Sequence, residues 1–273
     1  MVTFLFWNIN KKPLLESITW LVHNHNIDVL ILAESELNET HLLKSLNLPG
    51  EPCFSIMPPG LPSRIKIYSR FSSRFIKPIE DTGDIAIRQI MPPIGLDMLL
   101  VATHLPSKLH QTEQDQILSC TRFARTIEEV ESNIGHTRTL VIGDLNMNPF
   151  ECGIVGAEGI HAVSDRRIAA RGTRQVAGES RRFFYNPMWN YFGDAPPDPP
   201  GTYFYDTGTQ VNLYWNIFDQ VLIRPELLDM FSDENLRVVT EVGSRTLLSK
   251  SGRPDSNFAS DHLPILLTQT DRF

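Results

Sequence analysis

The feature that most constrains this chain is a set of apolar runs that each stop at a polar residue. Val2–Asn8 (VTFLFWN), Asp28–Ala33 (DVLILA), Met98–Leu105 (MLLVATHL) and Thr139–Asn148 (TLVIGDLNMN) are mostly apolar and rich in β-formers, so they read as buried strands. Their ends carry Asn8 and Asn10, then Glu34, then His104, then Asp144 and Asn146. In extended backbone, residues i and i+2 share a face. Asp144 and Asn146 are two apart, which presents a carboxylate beside a carboxamide, and Gly143 leaves room for a close backbone approach. A carboxylate can take a proton from water, and a carboxamide can donate to a phosphate oxygen. The decapeptide alone is equally consistent with a strand closed by an Asx-turn, so the rest of the chain must decide.

The segments between these runs suggest α/β organisation. Pro13 suits the N1 position of a helix carrying Leu14, Leu15, Ile18, Leu21 and Val22 at helical spacing. Glu39–Leu46 reads as a short helix, and Pro49, Pro52, Pro58, Pro59 and Pro62 punctuate a loop. Arg64–Ser69, Arg74–Pro78, Asp84–Met91 and Leu96–Thr103 read as one antiparallel meander. Gln111–Ile134 is the longest helix. Its stripe of Ile117, Cys120, Ala124, Ile127, Val130 and Ile134 faces inward, with Arg122, Arg125, Glu128, Glu129 and Glu131 outside. Residues 150–212 are the least regular and include the Pro-rich turn Ala195–Gly201. Strand character resumes at Gly201–Tyr205 and at Leu213–Ile223, which holds Asp219. Asp261-His262 then precedes a last strand, Ile265–Thr268. Polar strand ends spread from residue 8 to residue 262 can build one site only within one domain, so 1–273 is expected to be a single domain.

Composition narrows the class. The chain has 273 residues, ample for a core, and a formal net charge of −7. A binder of polyanions with this charge needs its cations clustered locally. Three cysteines without a CxxC pattern give neither a disulfide framework nor a zinc site. No signal peptide or membrane-spanning run is evident, and a cytoplasmic protein is expected.

In order, FWNIN (6–10), LAE (32–34), THLP (103–106), GDLNMNP (143–149), FDQVLI (218–223) and SDHLPI (260–265) resemble the motifs of the endonuclease/exonuclease/phosphatase superfamily, whose members include exonuclease III and DNase I. The resemblance spans nearly the whole chain. It implies a four-layered α/β sandwich, with two mixed β-sheets face to face and helices outside. It also implies a site at one end of the sheets. Glu34, Asp261 and the amide oxygens of Asn8 and Asn10 are hard donors suited to Mg²⁺ or Mn²⁺. Asp144 would orient and deprotonate water, and Asn146 would donate to a non-bridging oxygen. Asp219 would hold His262, and His104 would serve the leaving oxygen. Many nucleases of the family carry an acid where Asn10 stands and Gln where Ala33 stands, which leaves this metal site one charge weaker.

The superfamily acts on DNA, RNA and small phosphorylated molecules, and fold does not choose among them. The local signal is Arg166, Arg167, Arg171, Arg174, Arg181 and Arg182, six arginines against Asp165 and Glu179 between His161 and Phe184, followed by aromatics. Arginines grip phosphates and aromatics stack on bases. These six are therefore expected to bind substrate, and a nuclease acting on DNA or RNA is favoured. A phosphatase or phosphodiesterase of small molecules is the alternative, and a catalytically idle binding module a third.

Overall fold

Alternation along two neighbouring strands sets the layers. In a computed structural model, which describes residues 1–50, 53–57, 64–93, 95–109, 111–193 and 199–270, Thr139–Asp144 pairs antiparallel with Asp219–Ile223. Leu140, Ile142, Val221 and Ile223 enter one apolar cluster, whereas Val141 and Leu222 enter another. The period of two thus separates an inner core between two sheets from an outer core beneath a helix.

In chain order the elements begin with β1 (Val2–Asn8), α1 (Leu15–Asn24), β2 (Val29–Ala33), α2 (Glu39–Leu46), β3 (Ser55–Ile56) and β4 (Ile65–Ser69). β5 (Ile76–Asp81), β6 (Ile85–Ile90), β7 (Met98–His104), α3 (Glu113–Ile134) and β8 (Thr139–Asp144) follow. Next come α4 (Cys152–Val155), β9 (Ala162–Val163), α5 (Arg166–Ala169), β10 (Thr173–Val176), β11 (Glu179–Arg182) and β12 (Phe184–Tyr185). The chain ends with β13 (Tyr203–Tyr205), β14 (Tyr214–Asn216), β15 (Asp219–Ile223), β16 (Leu236–Val238), β17 (Glu241–Val242), β18 (Arg245–Thr246) and β19 (Ile265–Gln269).

One sheet has the order β16-β19-β1-β2-β4-β3, the other β5-β6-β7-β8-β15-β12-β9. Both are mixed, and together with their helices they make the expected α/β sandwich. Each has at its centre a parallel pair joined through a helix, β1–α1–β2 in the first sheet and β7–α3–β8 in the second. Leu99, Val101, Val141 and Leu222 pack beneath Cys120, Phe123 and Ile127 of α3. A capping box between Thr112 and Asp115 starts that helix, and Gly135 in left-handed backbone ends it.

Several expectations need correction. Pro13 lies two residues before α1, whose N-cap is Leu14. The expected four-strand meander is divided between the sheets, because β4 pairs with β2 while only β5, β6 and β7 run on together. Leu213–Ile223 is broken into β14 and β15, which belong to different sheets. Glu131 faces inward and is 2% exposed, and Arg88 is buried in an ion pair with Asp81 at 2.8 Å. Pro52, Pro58, Pro59 and Pro62, together with 195–198 of the Pro-rich turn, lie outside the described residues.

Candidate active site

The central parallel strand pairs of the two sheets, β1–β2 and β7–β8, end at the same place. Asn8 ends β1, Glu34 follows β2, His104 ends β7 and Asp144 ends β8. Asp144 shares the parity of Leu140 and Ile142, and Asp219 that of Val221 and Ile223, so both point between the sheets. The register sets Asp219 directly opposite Asp144. Asn8 Nδ2 donates to Asp144 Oδ2 at 2.9 Å and ties one sheet to the other. Gly143 stands opposite Thr103. A Cβ there would lie 2.0 Å from the Thr103 carbonyl oxygen, so glycine is a steric requirement at this strand end.

Asp144 is 1% exposed. Its Oδ1 accepts from the Asn146 backbone N–H at 2.8 Å. Its Oδ2 lies 3.7 Å from His104 Nε2 and 3.9 Å from His262 Nε2. Burial raises the Asp144 pKa above the usual carboxylate range, and the facing Asp219 adds to this, against the pull of the two histidines and Asn8. His262 Nδ1 donates to Asp219 Oδ2 at 2.8 Å. Burial lowers the imidazole's pKa, but Asp219 and then Asp144 outweigh it and raise it to about 10. Tyr203 lies against the His262 ring with centroids 4.6 Å apart, and Trp7 Nε1 donates to the His262 carbonyl at 2.9 Å. Asp219 Oδ1 and His104 Nδ1 are buried with no hydrogen-bond partner among the described residues.

The Asx-turn and the polar pair are both present. Asn146 is not extended, because its φ of +51° turns the chain while Asp144 closes the Asx-turn. Its side chain donates to the Leu105 carbonyl at 2.8 Å and keeps one N–H available. The rest of the loop is pinned to the segment before β15. Asn148 donates to Asn216 Oδ1 at 2.9 Å and accepts from the Ile217 N–H at 2.9 Å. Gln220 holds the Met147 carbonyl at 2.6 Å.

The residues expected to hold a divalent cation, Glu34, Asp261 and Asn8, line the same cavity as Asp144, while the metal-ligand side chains that converge within 4.8 Å among the described residues are Asp144, Asp219 and His262. Glu34 Oε1 lies 3.3 Å from His104 Nε2. Asp261 accepts from Asn10 Nδ2 at 3.0 Å and from Ser260 Oγ at 3.3 Å. Among the described residues neither carboxylate is paired with Lys or Arg. Asn10 thus points its amide donor at Asp261 and orients that carboxylate. Among the described residues Asn8 Oδ1 accepts only the Asn10 N–H, at 3.1 Å, and has a lone pair left. Glu34 and Asn10 both hold left-handed backbone, at φ +50° and +43°. For a residue with a Cβ this costs about 1 to 2 kcal/mol, so the fold imposes these conformations here. Hard oxygens without a competing cation suit Mg²⁺ or Mn²⁺.

All nine expected site residues outside the arginine segment line one cavity of about 680 Å³, except Asp219, which lies behind His262. The cavity also takes in Arg64, Asp84 and Lys108, and an aromatic wall of Tyr203, Tyr205 and Phe218. Sequence reading missed these. The alternation of YFY (203–205) beside the FDQ motif was the only signal available for the wall.

The six arginines are not brought to this cavity. β12 pairs Tyr185 with Ile223, the end of β15 away from Asp219. The arginine segment therefore joins the sheet at the opposite end. Arg166 donates to the carbonyls of Leu228 and Phe231, Arg181 pairs with Glu158 and Glu179, and Arg167 pairs with Asp165.

No protein-family model matches the chain, and no curated protein does. Solved structures do. The endonuclease domain of TRAS1, a telomere-specific non-LTR retrotransposon, is similar at TM-score 0.52 and 14% identity over 100% of both chains. Truncated TDP2 of Caenorhabditis elegans is similar at TM-score 0.56 and 18% identity over 99% of this chain and 98% of that one. The 3′ phosphatase NExo from Neisseria, bound to product DNA hairpin, is similar at TM-score 0.56 and 15% identity over 99% and 100%. The architecture is thus that of a DNase I-like α/β sandwich. The chain has the fold of the endonuclease/exonuclease/phosphatase superfamily.

Proposed function

We propose that the protein is a divalent-metal-dependent phosphodiester hydrolase acting on nucleic acid from within one domain, in a cytoplasmic setting. One observation carries the reading. A buried carboxylate, Asp144, lies at the floor of the cavity within 3.9 Å of two imidazoles, and oxygen donors line the same cavity. Solved structures of the same fold include a TDP2 complexed with single-strand DNA product and the NExo complex with a DNA hairpin, which supports nucleic acid as the ligand class.

Water placed at Asp144 Oδ2 would lose its proton to that oxygen as its own oxygen attacks phosphorus, and the raised carboxyl pKa suits a general base. His262, held as imidazolium by Asp219, would donate to a non-bridging oxygen, and the free Asn146 N–H would do the same. His104 would give a proton to the departing oxygen. Glu34 and Asp261, with Asn8 Oδ1, would hold Mg²⁺ or Mn²⁺, which when bound neutralises charge on the phosphoryl oxygens. Asn10 would keep Asp261 in place.

The cavity wall selects among substrates. Among the described residues its cations besides the His262 imidazolium are Arg64 and Lys108, and Lys108 is already paired with Glu151. A multiply phosphorylated small molecule needs more positive charge than this, whereas one diester flanked by bases stacked on Tyr203 and Tyr205 does not. The test compares single- and double-stranded DNA, RNA and bis-p-nitrophenyl phosphate with Mg²⁺, with Mn²⁺ and with EDTA. Metal-dependent cleavage of DNA or RNA is expected. Cleavage of neither, or cleavage that EDTA leaves intact, overturns the reading.

A further inference from the structure

The arginine segment forms a structure of its own. β10 and β11 make a two-stranded ribbon, in register Thr173–Arg182 and Val176–Glu179. Ala177 and Gly178, at φ +50° and +85°, close it with a two-residue turn. Among the described residues the ribbon pairs with no other strand. Its base is fixed by His161, which stacks on Phe183 with centroids 4.4 Å apart, donates Nδ1–H to the Arg182 carbonyl at 2.9 Å and accepts Arg174 Nε–H at 2.7 Å. The arginines then sort into two groups. Arg166, Arg167 and Arg181 are engaged by carbonyls and carboxylates. Arg171, Arg174 and Arg182 are exposed, and the first and last have no side-chain partner among the described residues. The carboxylates of 158–182, namely Glu158, Asp165 and Glu179, are all taken by the first group. The uncompensated charge therefore gathers at the ribbon base, on a chain of net −7.

We propose that this ribbon is a second contact for nucleic acid, gripping the phosphate backbone outside the catalytic cavity. The proposal rests on the phosphodiesterase reading for its choice of partner. A nucleic-acid chain that enters the cavity carries further phosphates along its length. Asp219 and Ile223 are four residues apart in β15, so the ribbon end lies at least about 13 Å from the site at ~3.3 Å per residue. That is about four base pairs of duplex at ~3.4 Å each. Guanidinium groups free of intramolecular carboxylates can pair bidentately with phosphate oxygens, and a two-stranded ribbon is narrow enough for the major groove of B-form DNA.

Binding of a fluorescein-labelled DNA duplex of about thirty base pairs, followed by anisotropy in EDTA across ~0.05 to ~0.2 M NaCl, tests this without reference to hydrolysis. In the double variant Arg171→Gln/Arg182→Gln, the slope of log affinity on log salt should fall by about 1.8 and affinity by about tenfold or more. A dinucleotide, about 7 Å long, should show no difference, since it cannot span both contacts. Arg171→Lys/Arg182→Lys, which retains the charge, should restore most of the slope, and far-UV circular dichroism confirms that each variant is folded. An unchanged slope in the glutamine variant overturns the proposal. So does displacement of the duplex by polyglutamate as readily as by polyphosphate of equal charge, which would assign the ribbon to an acidic protein. If the wild type cleaves neither nucleic acid nor bis-p-nitrophenyl phosphate, the catalytic reading fails, while a ribbon-dependent slope would still stand.

Discussion

The paired strands β8 and β15 carry a buried polar cluster at each end, and the two clusters are built in opposite ways. At the end away from the cavity, Arg224 donates Nε and Nη2 to Glu131 at 2.8 and 3.1 Å, and Thr139 Oγ1 donates to the same carboxylate at 2.7 Å. Arg224 also donates to the Phe183 carbonyl at 3.1 Å, and its guanidinium lies 3.8 Å from the centre of the Phe184 ring. Opposite charges balance there, and the polar atoms are used. At the other end two carboxylates face each other, and the imidazolium of His262 meets only part of their demand. Asp219 Oδ1 and His104 Nδ1 have no partner among the described residues. Four of the eight described non-glycine residues in left-handed backbone, Asn10, Lys11, Glu34 and Asn146, belong to the segments that form that end, whereas His161 holds the same backbone toward the other. The same two strands therefore hold a closed cluster that braces the fold and an open one that retains hydrogen-bonding capacity for a ligand. Strain and unmet polar demand of this kind are what a site kept for a ligand retains.

Substitutions at the two ends should separate activity from stability. Asp144→Asn should lower turnover of the best phosphodiester substrate by about 10² to 10⁴-fold, the contribution of a positioned base. It should leave the melting temperature unchanged or higher, because it removes one of two facing buried carboxylates. Turnover within threefold of wild type would remove Asp144 from the chemistry. At the other end, Arg224→Met leaves the Glu131 carboxylate buried and unpaired, at a cost of about 3 to 5 kcal/mol. Urea denaturation should show that loss, while turnover per folded molecule stays near wild type. A large activity loss in folded Arg224→Met would end the division of labour between the two strand ends.

Sequence patterning served these ends unequally. Asn8, Glu34, His104 and Asp144 each interrupt an apolar run, and a polar residue where burial is expected is conspicuous. The strand-end rule located the cavity because both sheets end their central parallel pairs there. Glu131 and Arg224 are 93 residues apart, and each looks ordinary in its own segment. A charge on an amphipathic helix is normally solvated, so only the fold discloses that these two meet. Arg88 and Asp81 escaped for the same reason. The position of the arginine segment was not legible, because local charge density says nothing about which end of a sheet a loop joins. That was decided by the antiparallel pairing of β12 with β15, and β12, two residues long, has little pattern of its own. The aromatic wall was likewise hidden, since strands β13 and β14 are three residues each.

Metal binding should sharpen the comparison, because only the open end has oxygen donors to spare. With Mg²⁺ or Mn²⁺ at about a hundred times its dissociation constant, linkage gives about 2.7 kcal/mol of added stability. Thermal melts with and without the ion should show that gain in wild type and in Arg224→Met, and much less of it in Glu34→Gln or Asp261→Asn. Equal gains in all four proteins would place the ion elsewhere.

The smallest expected effect concerns His262, whose folded pKa of about 10 lies above its ordinary 6.5. A group raised in this way adds stability that is complete below the unfolded value and disappears as pH climbs through the folded one. Asp219 is the strongest of the upward influences, so Asp219→Asn should bring the imidazole back toward or below its ordinary value. In EDTA, wild type should exceed the variant by about 1.5 to 3 kcal/mol near neutrality, the range for a charged hydrogen bond. That margin should shrink as pH rises through about 10, where the wild-type imidazolium loses its proton. Protonation of Asp144 works in the other direction at low pH, because its raised pKa makes ionisation costly in the folded state, so denaturation curves should be collected from neutral pH upward. A margin that stays constant across that range would mean that Asp219 holds His262 by shape alone. The open end would then differ from the Arg224–Glu131 end in geometry but not in charge.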